Sequence, residues 1–455
     1  MKKRMEERKN VWITFLGALL LLALPAAAIR LTIAAEYLSG DDIQRAAGVY
    51  GTITDRTGQA LMEKGTIAEP ELYGNLISRK GGSDNSLYVR YGKEFLPDFS
   101  LFHGIHLYDD DSEDGVTEGN VLRTTLLSSA FQRQIADAFE GNDGCCFSYN
   151  YVTGEIYTAL SLPSAAYDSG NLKSGTLVNQ CFGGRYVPGS TMKIIASLLA
   201  AKQDKDILGL VHTCTGSLQL PDGTIVYCAG IHGTVDFAGA LGHSCNCYFA
   251  RIIQQLDPAE TAETLSDMGF SVNTETRGYR EVGKLSRTDS SVQFRNNASF
   301  QDVWGLIGQG DSLVNVMDMC RIAGAAANNG EAAIPYLVEE ITDSRSGEVI
   351  SRADSGKTER LFSGKTAGYV RENWQSAYQT YYICRGYPET VSYAKTGTAE
   401  VTIDGRDTHN SLLMGVIEER NTAFFIVVED TMDSSAALRI ARALGNAVYT
   451  LQTGD

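Results

Sequence analysis

Three short clusters in this chain combine hydroxyl, amine and amide side chains at spacings that suit acyl transfer. The first is Tyr186-Val187-Pro188-Gly189-Ser190-Thr191-Met192-Lys193, followed by an apolar run over residues 194–200. Pro188 and Gly189 punctuate the chain, so the pattern predicts a helix starting at Ser190. Residues i and i+3 share a helix face, which stacks Ser190 and Lys193 within reach of each other. A serine hydroxyl is a weak nucleophile until a neighbouring base takes its proton. Lysine becomes such a base when burial lowers its pKa. The helix N-terminus adds a backbone N–H for a developing oxyanion. The second cluster, Ser244-Cys245-Asn246, follows a helix-like stretch at 235–243. Two polar side chains at i and i+2 on a loop can both face a cleft. The third, Lys395-Thr396-Gly397-Thr398, continues a strand-like run from Val391. Alternation puts Lys395 and Gly397 on one face and Thr396 and Thr398 on the other. Gly397 lets a ligand approach the backbone, and Lys and Thr donors suit a substrate carboxylate.

Taken singly, each cluster has an ordinary structural explanation, an N-cap serine with a surface lysine or Ser/Asn capping. The chain also carries imitations. Ser392-Tyr393-Ala394-Lys395 repeats the Ser-x-x-Lys spacing on a predicted strand, where i and i+3 face opposite sides. Ser83-Asp84-Asn85 lies in a Gly-rich stretch ahead of Ser190, and Lys365-Thr366-Ala367-Gly368 lacks glycine at its third position.

The elements that must position these clusters show no βαβ rhythm. Residues 128–139 have helical spacing. Residues 145–151 and 156–162 read as strands joined by a turn at Val152-Thr153-Gly154-Glu155. Residues 391–394, 412–417 and 423–428 read as further strands, and 435–449 as a closing helix. The mixture predicts an α+β fold, an antiparallel sheet covered by helices. Upstream, Thr52-Ile53-Thr54 is strand-like and Asp55-Arg56-Thr57-Gly58 suits a turn.

The chain has 455 residues, 43% apolar and 21% charged, with a formal net charge of −16. Such composition is globular, and the length suits two or three domains. The acidity argues against nucleic acid, whose phosphates need a basic face. The run Asp109, Asp110, Asp111, Glu113 and Asp114 reads as a solvated loop. At the N-terminus, Lys2, Lys3, Arg4, Arg8 and Lys9 precede an apolar stretch from Val11 to Ala28, about as short as a membrane span can be. The basic flank keeps residues 1–10 cytoplasmic and exports the rest. Ala26–Ala28 would also suit signal-peptidase cleavage, but apolar character resumes at 31–35 and favours a retained anchor over residues 11–35. Residues 36–120 read as a small β-rich non-catalytic module, and residues 121–455 as the catalytic domain.

In their order, the three clusters make the sequence resemble the penicillin-binding protein and serine β-lactamase superfamily, whose site motifs are Ser-x-x-Lys, Ser-x-Asn and Lys-Thr-Gly. The likeness extends to class B penicillin-binding proteins through TITDRTG at 52–58, HGTVDFAGALGHSCNCYFA at 232–250 and IGQGDSLVNVMDM at 307–319. Asn315-Val316 departs from the Thr-Pro usual there. The resemblance implies a central antiparallel sheet flanked by helices, with an all-helical subdomain. It also implies a D,D-transpeptidase that cross-links peptidoglycan stem peptides and is acylated by β-lactams. Ser190 would be the nucleophile and Lys193 its base. The N–H groups of Ser190 and Thr398 would form the oxyanion hole. Asn246 would hold the peptide amide, Ser244 would relay a proton with Lys395, and Thr396 and Thr398 would bind the terminal carboxylate. No catalytic cofactor is implied. A membrane glycosyltransferase is the implied partner, because residues 36–120 leave no room for a glycan-polymerising domain. A serine β-lactamase or D,D-carboxypeptidase is the alternative, with water as acyl acceptor. The anchor, the extra module and Asn246 favour the transpeptidase. A non-catalytic scaffold or sensor is a further alternative, opposed by the intact motifs and the short cytoplasmic tail.

Nine cysteines are many for an exported chain, and they cannot all pair. Cys214, Cys228, His232 and Cys245 lie between the first and second clusters. Three thiolates and an imidazole suit structural Zn2+, and some elongation-type class B members resemble this. A Cys214–Cys228 disulfide is the other reading, since export favours disulfides.

Overall fold

The computed structural model describes residues 49–78, 83–95, 117–166, 170, 172–274, 278–403 and 405–451. The predicted tail and anchor at 1–35 and the acidic run at 109–114 lie outside them. No helix among the described residues is long and apolar enough to cross a membrane.

The apolar runs read as strands pair into one five-stranded sheet. Its order is Tyr393–Ile403, Arg406–Ile417, Thr422–Val428, Gly144–Asn150, Ile156–Leu162, and every pair is antiparallel. Thr422–Val428 and Gly144–Asn150 are buried along their whole length. Helices cover both faces, which is why these strands read as unbroken apolar runs rather than as alternation. On one face the Tyr149 hydroxyl occupies the space that a Cβ on Gly324 would need, so the sheet lies close against helix Val316–Ala327. On the other, Thr158 donates to Gln132 of helix Ser129–Asp137, and the closing helix Ala436–Thr450 packs beside it.

The stretch expected as a module at 36–120 shares a sheet with later parts of the chain. Its boundary falls inside the strand Thr117–Thr124, part of a six-stranded sheet ordered Val349–Arg352, Val338–Thr342, Thr117–Thr124, Val49–Thr54, Ala60–Glu63, Thr66–Ile67. Two of its strands thus come from beyond Ile334. Arg123 Nε donates to Glu339 across the seam at 3.0 Å. The region around the second motif is mainly helical. Two-stranded ribbons interrupt it, pairing His212–Cys214 with Gly233–Val235, Ser217–Gln219 with Ile225–Tyr227, and Tyr279–Val282 with Leu285–Thr288. The last closes on a two-residue turn with Gly283 at φ +62°, the left-handed backbone such hairpins require.

Candidate active site

The first motif forms a 3₁₀ turn, Gly189–Thr191, leading into helix Met192–Gln203. Ser190 thus sits on the entry turn, two residues before the α-helix that the pattern predicts to begin at Ser190 itself, and Lys193 lies in the first α turn. Lys193 is fully buried, and its Nζ lies 2.6 Å from Ser190 Oγ. It also reaches Ser244 Oγ at 3.1 Å and Asn246 Oδ1 at 2.8 Å. One buried amine therefore joins the first and second motifs. Burial pulls its pKa well below the lysine range, and the nearby Lys395 ammonium pulls it further. An unprotonated amine at neutral pH is the form that accepts a proton from a hydroxyl.

The second motif is held in a strained shape. Ser244 has φ +54°, uncommon for a residue with a side chain, and Asn246 opens helix Asn246–Ile253. Such strain costs of order 1–3 kcal/mol and concentrates at functional sites. Asn246 Nδ2 donates to the carbonyl of Tyr227 at 2.8 Å, which ties the motif to the Ile225–Tyr227 strand.

The third motif lies on strand Tyr393–Ile403. Burial follows the predicted alternation: Lys395 and Gly397 are buried, Thr396 is half-buried and Thr398 is exposed. Lys395 Nζ donates to the Thr396 carbonyl at 2.9 Å and lies 6.0 Å from the centre of the Tyr382 ring. Burial and then the Arg385 charge bring its pKa down to about 7.

Close backbone approach seats Ser190 against this strand. Gly189 has φ +54°, and a Cβ there would come within 2.9–3.1 Å of the Thr398 backbone. A Cβ on Gly308 would lie 1.7 Å from the Gly189 carbonyl oxygen. The segment is thus clamped from both sides, with the Ser190 and Thr398 backbones adjacent. Gly189→Ala is expected to lower stability by about 1–3 kcal/mol and to abolish acylation by benzylpenicillin. Thermal unfolding and intact mass measure the two effects.

The imitation motifs are placed elsewhere. Ser392 Oγ accepts the Glu418 N–H at 2.8 Å. Lys365 and Thr366 lie on helix Gly364–Ala377. Asn85 exchanges hydrogen bonds with the Ser286 backbone. Asn315, where the family's usual Thr-Pro is absent, caps helix Val316–Ala327 by accepting the Met317 N–H. Its Nδ2 donates to the carbonyls of Cys181, Phe182 and Gly184, just ahead of the nucleophile segment.

Two contributors had no signal in local spacing, and a third had only part of one. Tyr227 acts through its backbone carbonyl, which any residue supplies. Tyr382 places its hydroxyl 3.4 Å from Thr396 Oγ1 from a π-helical turn, Tyr378–Tyr382. Gln309 Nε2 donates to the Thr398 carbonyl at 3.3 Å; here the Gly-Gln-Gly run was visible, but not its target.

Beside the second motif, ligand atoms of Cys214, Cys228, His232 and Cys245 all lie within 4.8 Å of one another. His232 Nδ1 is buried with no hydrogen-bond partner among the described residues. All nine cysteines are free thiols, Cys214 and Cys228 included. The Cys228 Sγ lies 3.7 Å from Cys245 Sγ and 3.4 Å from that of Cys247, a thiol the spacing had not singled out. Three sulfurs and an imidazole with an orphaned nitrogen fit a tetrahedral metal ion.

Comparisons with known proteins find relatives of this chain. Peptidoglycan D,D-transpeptidase PbpA of Mycolicibacterium smegmatis is 25% identical over 375 residues, covering 72% of this chain and 71% of that protein. Stage V sporulation protein D of Bacillus subtilis is 23% identical over 235 residues, 51% of this chain; the match spans only 35% of that relative's length. The solved structure of PBPA from Mycobacterium tuberculosis superposes with a TM-score of 0.73 at 21% identity, covering 88% of this chain and 99% of that one. That protein is also solved as a penicillin G acyl-enzyme complex, with a TM-score of 0.72. Residues 144–450 match the transpeptidase family described as the penicillin binding protein transpeptidase domain, and the chain belongs to that family.

Proposed function

We propose that this chain is a peptidoglycan D,D-transpeptidase working through a Ser190 acyl-enzyme. The observation that carries the reading is the buried Lys193 amine, within 3.1 Å of Ser190, Ser244 and Asn246 at once. Relatives named as a D,D-transpeptidase and as an acyl-enzyme with penicillin G support it.

The unprotonated Lys193 Nζ takes the Ser190 proton as Oγ attacks the carbonyl carbon of the penultimate D-alanine. The N–H groups of Ser190 and Thr398 stabilise the oxyanion, an effect worth about 3–4 kcal/mol per donor in comparable sites. The tetrahedral intermediate collapses to a Ser190 ester. The departing D-alanine nitrogen receives its proton through Ser244, beside Lys193. Asn246 holds the peptide amide, Thr396 and Thr398 hold the terminal carboxylate, and Lys395 assists the Ser244 relay. An amine of a second stem then attacks the ester and loses its proton to Lys193, which restores Ser190 and forms the cross-link. Residues 11–35 anchor the chain, with residues 1–10 in the cytoplasm and the catalytic part outside the membrane, beside a glycosyltransferase that supplies glycan. The basic flank and the apolar stretch of the sequence support this placement.

The test is product analysis with a pentapeptide donor ending in D-alanyl-D-alanine and an acceptor stem. A cross-linked dimer as main product is the expected result. Tetrapeptide alone would replace this reading by a carboxypeptidase.

The same reading assigns structural Zn2+ to Cys214, Cys228, His232 and Cys245. The ion fixes the loop holding Ser244 and Asn246, since Cys245 lies between them and caps the following helix by accepting the Tyr248 N–H. Metal analysis is expected to find one zinc per chain. Its removal by a chelator should lower the melting temperature by about 5 °C or more and slow acylation. A metal-free chain of unchanged stability and rate would remove the assignment.

A further inference from the structure

A cavity of about 840 Å³ opens beside the proposed catalytic cleft. Its floor continues the nucleophile segment. Arg185 leads into Tyr186, whose N–H and C=O pair with Val314 at 2.9 and 2.8 Å, four residues before Ser190. Its far wall is helix Phe300–Ile307, which ends at Gly308 against Gly189 and at Gln309 on the Thr398 carbonyl. Any occupant would lie next to a stem peptide seated on Thr396 and Thr398.

The lining has a specific chemistry. Phe300 and Trp304 stack with ring centroids 5.4 Å apart and an interplanar angle of 18°, and both are only half-buried. Around this platform stand planar polar groups. Arg185 Nη1 donates to Ser291 Oγ at 3.3 Å, and Arg295 Nη2 donates to Gln293 Oε1 at 3.1 Å. Asp302 is committed to its own loop, accepting from the N–H groups of Arg295 and Asn296 and from Ser299 Oγ. The lining's two carboxylates, Asp302 and Asp311, balance its two guanidiniums, Arg185 and Arg295. A platform of apolar rings with planar donors and acceptors at its edge matches a ring that is apolar on its face and polar at its rim. Near-balanced charge disfavours an anion. Sugars have this form, and the glycan of a wall strand is uncharged once its lactyl groups carry stem peptides.

We propose that this cavity binds an N-acetylated amino-sugar disaccharide of the strand whose stem occupies the cleft, an inference that rests on the transpeptidase reading. The ring face lies on Phe300 and Trp304, and the sugar hydroxyls and acetamido group meet Arg185, Gln293, Arg295 and Asp311. The site aligns the glycan so that its stem reaches Ser190.

The experiment uses the full chain in detergent, carrying Ser190→Ala to prevent turnover. It is titrated with a soluble, uncharged N-acetylated amino-sugar disaccharide, di-N-acetylchitobiose, and, separately, with the free pentapeptide. Tryptophan emission and calorimetry report binding. The disaccharide should bind saturably and perturb Trp304, and the surface change Arg295→Ala should weaken it about tenfold. With Ser190 restored, Arg295→Ala should leave acylation by benzylpenicillin unchanged. A flat disaccharide titration, an unchanged affinity in Arg295→Ala, or perturbation of Trp304 by the pentapeptide alone would overturn the inference. The parent chain separates the two readings. Failure of benzylpenicillin to acylate it would sink the transpeptidase reading, whereas normal acylation beside a flat titration would sink only this one.

Discussion

Incubated with benzylpenicillin, the parent chain gains one covalent drug molecule, and the Ser190→Ala chain keeps its native mass. Any residual rate in the variant is expected to be lower by at least about 10³-fold, as for other serine nucleophiles. The reason is geometric. Ser190 Oγ is the hydroxyl 2.6 Å from a buried amine on the entry turn of a helix, with the Thr398 backbone alongside. Ser244 Oγ also contacts that amine at 3.1 Å, so Ser244→Ala is the necessary comparison; it should slow acylation and still give the adduct. Ser392→Ala should behave like the parent, because its hydroxyl is engaged by the Glu418 N–H. The fate of the adduct then sorts the alternatives. A lasting ester fits a transpeptidase, rapid drug hydrolysis a β-lactamase, and neither adduct nor hydrolysis a non-catalytic scaffold. An adduct that survives Ser190→Ala would refute the assignment of the nucleophile.

Lys193→Met is expected to cut the acylation rate by about 10²–10⁴-fold, the usual contribution of a positioned general base, while the chain stays folded. Methionine fills nearly the same volume, and a fully buried amine contributes little to stability by being buried. The pH profile is the sharper measurement. Lys193 must be unprotonated to act, so the rate should rise with pH through its lowered pKa. Lys395 assists the Ser244 proton relay in its charged form, so the rate should fall as pH climbs through about 7, where burial and Arg385 place its pKa. The result is a bell. Arg385→Ala removes a neighbouring positive charge, makes protonation of Lys395 easier and moves the alkaline limb to higher pH. An alkaline limb that stays in place would exclude Lys395 as its origin.

The motifs were legible because their chemistry is local. Pro188-Gly189 ahead of Ser190 announces a helix entry, and three residues on a helix bring Lys193 onto the same face. The strand 391–398 showed its two faces by alternation, and those faces reappear in its burial. The strands 145–151, 156–162 and 423–428 were visible as apolar runs bounded by turns, and the closing helix by its period. The observed Gly144–Asn150, Ile156–Leu162, Thr422–Val428 and Ala436–Thr450 differ from them by no more than a residue at each end. The domain boundary was not legible. Thr117–Thr124 pairs with Val338–Thr342, and nothing within either segment names a partner so far along the chain. The ribbons near the second motif were missed because strands of three or four residues are too short to show a period.

Sequence alone therefore determined which side chains could do the chemistry, and that a lysine base would follow the serine. It also singled out Cys214, Cys228, His232 and Cys245, since ligand types can be read from composition and order. Only the tertiary structure decided that Lys193 touches Ser190, Ser244 and Asn246 together, that Tyr227 and Tyr382 complete the surroundings, and that Cys247 joins the thiol group. The physical reason is one of range. Helix and strand periods fix what a residue meets within a few positions. A contact between residues fifty positions apart, such as Lys193 with Ser244, depends on how the sheet and helices close their apolar faces on one another.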